Sequence, residues 1–307
     1  MNGYTRVRRA VADRPLGAFF VLTYAFTWAL WIPLVGPLQG LLTFDVPLWA
    51  LAGLLLGAFG PTVAAVAVLW LSDGRGAVRD LLARFGKWRV GWRWYAVAVL
   101  VWPAVFGATY AGYTLIRSVP VSVTPALLAT LPLVYVVRFA LAVPTGPLAE
   151  EAGWRGFALP ELQARHGPLV ASLVVGLAWA LWHLPMFFVP GVALPATGTG
   201  DPVAILLYVV RTVGISIVFT WAYNGTGGSL LLDVLFHAGI NAGTNAFVTV
   251  FFADVTAQTV TEFVVVETAV VWLVAFGLVA TGRLTDRSDS LVLPAADAES
   301  PGGPDTG

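Results

Sequence analysis

The chain contains no cysteine. That excludes disulfides, thiol nucleophiles and Cys-ligated metals together. Charge is also scarce. Only 11% of residues are charged, against roughly 25% in a soluble domain. Lysine and arginine balance aspartate and glutamate at 17 each, so there is no basic excess to suit nucleic acid. Histidine occurs three times, which makes any histidine-based site easy to enumerate.

Apolar residues fill the space that charge leaves. Of the 307 residues, 58% are hydrophobic, and mean hydropathy is +0.81. These values place the chain among multi-pass membrane proteins. The 13 tryptophans fit that class, because Trp gathers at bilayer interfaces. About eight apolar stretches are long enough to cross as helices: 16–38, 47–71, 94–116, 125–147, 168–189, 202–223, 229–252 and 261–281. None alternates with a period of two, as a membrane β-barrel requires. The expected fold is all-α, with one transmembrane domain over 1–283 and a polar, disordered tail over 284–307. The first stretch is too long for a signal-peptide core and reads as a retained span. No internal repeat is visible, which disfavours many transporter folds.

Basic residues set the orientation. Arg6, Arg8, Arg9 and Arg14 precede the first span. Arg75, Arg79, Arg84, Lys87, Arg89 and Arg93 follow the second. Arg155 and Arg165 follow the fourth, and Arg283 and Arg287 the last. The opposite loops offer Arg117. The positive-inside rule then puts both termini in the cytoplasm of a plasma-membrane protein. The basic stretch 79–94 is amphipathic and suits the membrane surface, or simply sets topology.

Ionisable side chains inside spans are functional candidates by default. In LAEEAGWRGF, Glu151 and Arg155 stand four apart with the acid first, so they pair across one helical turn. Glu150 is turned ~100° away from Glu151. The two acids therefore have separate jobs: Glu151 is neutralised in place and Glu150 is left for chemistry. Spacing alone equally fits a solvated cytoplasmic helix. His183 follows Trp179 by one turn in AWALWHLP, and Asp233, His237, Asn241 and Asn245 recur every four residues on another helix. Such a stripe also serves interhelical hydrogen bonding. Arg211 and Glu267 are explained by pairing with each other or with Arg138.

Taken in order, EEAGWRG, AWALWHLP and TWAYNGTGGSLLLDVLFHAGIN resemble the three motifs of the CPBP intramembrane proteases, the CAAX-prenyl-endopeptidase-like or Abi family. The family pattern falls on Glu150, Glu151 and Arg155, then Trp179 and His183, then His237 and Asn241. Trp179 stands where Phe is common. The resemblance implies eight helices around a cavity open to the cytoplasm and hydrolysis of a membrane-associated peptide or protein, with or without a lipid. It assigns water activation to Glu150 and His183, oxyanion stabilisation to His237 and Asn241, and bracing to Glu151 and Arg155. Asp233, one turn before His237, is expected to fix its tautomer; that assignment comes from spacing. No cofactor is expected. Two other readings stay open: a zinc site on Glu150, His183 and His237, and a non-proteolytic scaffold, immunity protein or transporter.

Overall fold

The computed structural model describes residues 3–38, 47–117, 125–189, 199–251 and 256–285. The tail beyond 285, Arg287 and most of the loop at 190–201 lie outside them, as does the side chain of Asn245. The described residues are helical, with no strand. The helices are α1 (Gly3–Asp13), α2 (Pro15–Leu38), α3 (Leu48–Ala58), α4 (Gly60–Ser72), α5 (Arg75–Ala83), α6 (Trp92–Arg117), α7 (Pro125–Thr145), α8 (Pro147–Gly153), α9 (Leu159–Trp182), α10 (Pro202–Gly225), α11 (Leu230–Phe251) and α12 (Ala257–Ala280).

Each expected apolar stretch falls on a helix or helix pair. Among the described residues, five helices are long and apolar enough to cross a bilayer, or six if the pair α3 and α4, bent by 43°, forms one span. Ala129–Thr145 and Leu230–Thr244 are shorter apolar helices. This is an integral membrane protein. The basic stretch 79–94 differs from a single amphipathic helix: α5 ends at Ala83, a short turn follows, and α6 begins at Trp92.

The helices pack through small contacts and indole hydrogen bonds. On α2, Phe19, Thr23, Thr27 and Trp31 recur every four residues and are all buried. That face meets α3 and α4, and Thr27 donates to the Gly57 carbonyl of α3 at 2.8 Å. Trp28 Nε1 donates to the Trp182 carbonyl at 3.0 Å, tying α2 to the end of α9. Trp102 on α6 donates to the Phe236 carbonyl on α11 at 2.8 Å. Such bonds carry weight where no water competes.

Two features place the first motif. Pro147 sits in the first turn of α8, where its missing N–H costs nothing, and the chain breaks between α7 and α8 at Gly146. The stretch PTGP (144–147) thus interrupts the helix, as proline and glycine there predict. Gly153 then lies against α4: a Cβ there would be 2.4 Å from the Pro61 backbone. Only glycine allows that approach, which brings Glu150 and Glu151 to the bundle interior.

Candidate active site

Glu150 and Glu151 are 4% and 0% exposed, which removes the solvated-helix reading. They diverge as their spacing predicts. Glu151 Oε1 accepts from Arg155 Nη1 at 3.0 Å and from His237 Nδ1 at 2.6 Å. Glu150 Oε2 instead accepts from the Trp179 indole at 2.8 Å.

Arg155 does not lie on regular α-helix. Trp154–Ala158 forms a π-helical turn, a distortion found often at functional sites. The four-residue pairing survives it. Arg84 Nη1 donates to the Gly156 carbonyl in that turn at 3.0 Å and to the Tyr223 hydroxyl at 3.2 Å. The basic linker therefore braces the motif as well as setting charge bias. The Arg155 guanidinium is fully buried and lies 4.4 Å from the Trp179 ring centroid and 4.0 Å from that of Phe219. Two aromatic faces and one carboxylate thus stabilise a cation without water.

His183 sits where α9 stops. Pro185 follows closely and cannot continue the helix, so the chain tightens into a 3₁₀ turn over Leu184–Phe188. The His183 N–H reaches the Ala180 carbonyl at 3.2 Å. That leaves the Trp179 carbonyl to the imidazole, whose Nδ1 lies 2.9 Å from it. A carbonyl only accepts, so Nδ1 holds the proton and Nε2 of the neutral ring presents its lone pair. The same logic applies to His237, whose Nδ1 donates to a carboxylate. Its Nε2 is a lone pair when the ring is neutral and a donor when it is an imidazolium.

Glu150, Trp179, His183, His237 and Asn241 line one cavity of about 90 Å³. That space suits a few waters, which need roughly 10–15 Å³ each on the same measure. The second and third motifs also touch directly, with Trp179 and His237 rings 5.1 Å apart and near perpendicular at 81°.

Asp233 corrects one expectation. It is fully buried, but neither carboxylate oxygen has a hydrogen-bond partner among the described residues. The acid on His237 Nδ1 is Glu151. An i,i+4 spacing puts Asp233 on the same face as His237, but the imidazole turns to the acid across the helix interface, where Arg155 already orders it. Four further residues stood out less in the sequence. Tyr208 and Thr212 line the cavity without standing in any motif. Arg211 lines it too, while pairing with Glu267 at 2.9 Å as foreseen. Phe219, under the Arg155 cation, carried no sequence signal beyond apolarity.

The residues of the zinc reading, Glu150, His183 and His237, line this same cavity. Among the described residues, no group of three or more His, Asp and Glu side chains is arranged to hold a metal ion.

Trp179 offers a direct probe. Trp179→Phe keeps an aromatic face for Arg155 and removes the N–H that aims Glu150. Turnover should fall roughly tenfold, the scale of one hydrogen bond to a charged group. Kinetics and a thermal melt on the same sample check it; a lowered melting point with unchanged kcat would show that the bond serves only folding.

Comparison with known proteins follows the same outline. Residues 131–243 match the Rce1-like family, described as type II CAAX prenyl endopeptidase. The match includes every motif residue named above. Over 130 residues the chain is 29% identical to CAAX prenyl protease 2 of Methanococcus maripaludis, covering 42% of this chain and 44% of that protein. The match thus spans less than half of that relative's length. The motif-bearing segment is thus similar to CAAX-type proteases.

Proposed function

We propose that the chain is an intramembrane endopeptidase that cleaves a membrane-associated peptide or protein, free or lipidated, from a cavity open to the cytoplasm. The supporting observation is convergence. Glu150, His183, His237 and Asn241 come from three separated motifs and line one small polar cavity in an apolar bundle. Buried polar groups in a membrane need a reason to be kept.

The steps need no cofactor. A water held between the Glu150 carboxylate and His183 Nε2 gives its proton to Glu150, and its oxygen attacks the substrate carbonyl carbon. The carbonyl oxygen takes the negative charge. The Asn241 amide and an imidazolium Nε2–H of His237 stabilise it. Glu151, bonded to Nδ1, holds the ring in place. The C–N bond then breaks as Glu150 returns its proton to the leaving nitrogen. Arg155 orients Glu151 through the buried ion pair. The positive-inside pattern supports cytoplasmic termini.

Substrate trapping tests the proposal. Membrane peptides from cells making the wild type and from cells making Glu150→Gln are compared by mass spectrometry. A set of peptides intact only with the variant is expected, with shortened products only with wild type. Identical profiles would favour a scaffold that keeps the cavity for binding.

A further inference from the structure

Arg211 and Glu267 stand apart from the three motifs. Glu267 is on α12, outside the segment that matches the CAAX-protease family. Their side chains are 7% and 1% exposed, and Arg211 Nη1 meets Glu267 Oε2 at 2.9 Å. A buried ion pair is weak evidence for stability, because desolvation offsets most of the attraction. Inside a membrane bundle such a pair points to function.

The pair is also incomplete. Arginine and carboxylate bind best through two parallel hydrogen bonds. Here Arg211 Nε and Glu267 Oε1 have no hydrogen-bond partner among the described residues. Arg211 lines the same cavity as Glu150 and His183. Its ring neighbour Tyr208, 5.5 Å from the guanidinium carbon, lines the same space. So the cavity contains a cation that its counter-ion holds at one point only. Glu150 in the same wall repels anions, and Arg211 is the group that would admit one.

We propose that Arg211 is a specificity-determining residue that binds a carboxylate of the substrate, with Glu267 as its resting counter-ion and positioning partner. This rests on the reading of the cavity as a peptide-hydrolase site. The carboxylate has two sources, a free chain terminus or an acidic side chain beside the cleaved bond. Either presents a planar anion that a guanidinium receives with paired donors.

The test is binding, so that it does not depend on turnover. Full-length Glu150→Gln protein in nanodiscs is titrated with two pairs of fluorescent membrane-associated peptides. One pair ends in a carboxylate or a carboxamide. The other carries an internal Glu or Gln. At least one acidic peptide should bind about tenfold or more tighter than its neutral twin, as expected for a charge-assisted contact. The pair that shows it identifies the source. Adding Arg211→Gln should erase that ratio and leave the neutral peptide's affinity nearly unchanged, and Arg211→Lys should restore part of it. Equal affinities within both pairs, absence of binding included, would overturn the proposal even if the Arg211 variants fail to fold. A ratio that survives Arg211→Gln would overturn it as well. Twin preference without turnover in the wild type would sink the protease reading and leave the anion site standing. Turnover without twin preference would do the reverse.

Discussion

Glu150→Gln is expected to lower turnover by about two to four orders of magnitude, the range a positioned general base supplies. Folded yield and melting temperature should stay close to wild type. The reason is geometric. Glu150 Oε2 takes one hydrogen bond, from Trp179 at 2.8 Å, and a glutamine carbonyl oxygen can take the same bond. What disappears is the ability to accept a proton from water. Substrate should still bind, because the cavity keeps its shape. A variant with near-normal turnover would show that another group activates the water. A large loss of stability would show that Glu150 is a structural acid, and the division of roles between the two glutamates would fail with it.

Arg155→Ala should do the opposite: it should cost stability first. The guanidinium is fully buried with one hydrogen-bonded carboxylate and two aromatic faces. Removing it leaves Glu151 charged and buried, answered only by His237. Breaking a buried pair from one side typically costs about 3–5 kcal/mol. That is a large share of the ~5–15 kcal/mol that holds a typical domain together. Yield in the membrane and the denaturation midpoint should both drop sharply. Because Glu151 Oε1 serves Arg155 and His237 together, Glu151→Gln should lose stability and activity at once. A melting point for Arg155→Ala equal to that of Glu150→Gln would contradict the assignment of the ion pair to scaffolding.

Much of this arrangement was legible in the chain. Helix spacing separated Glu150 from Glu151 and joined Glu151 to Arg155, because a 3.6-residue period fixes which side chains share a face. The PTGP break was legible because proline and glycine act locally. The pairing of Arg211 with Glu267 was legible because few charges exist to choose from. Contacts between helices were not. Spacing put Asp233 beside His237, and the fold gave that place to Glu151, which is 86 positions away in sequence. The π-turn at Trp154–Ala158 left no mark in the pattern of apolar residues. Nor did the Trp179 indole on Glu150, since its N–H could have pointed to any of several acceptors. The bracing of that turn by Arg84 was hidden for the same reason: a basic loop reads as a topology signal until its partners are known.

The central claim is that a water activated by Glu150 cleaves a peptide bond in this cavity without metal. The most direct measurement is hydrolysis in ¹⁸O-labelled water. Purified protein in nanodiscs, with a strong chelator present, is given a membrane-associated peptide pool from the trapping experiment. Mass spectrometry then reads the products. The account predicts fragments whose new carboxyl group carries the heavy oxygen, formed by the wild type and absent with Glu150→Gln. Fragments that form equally with Glu150→Gln, or only after zinc is returned, would contradict it.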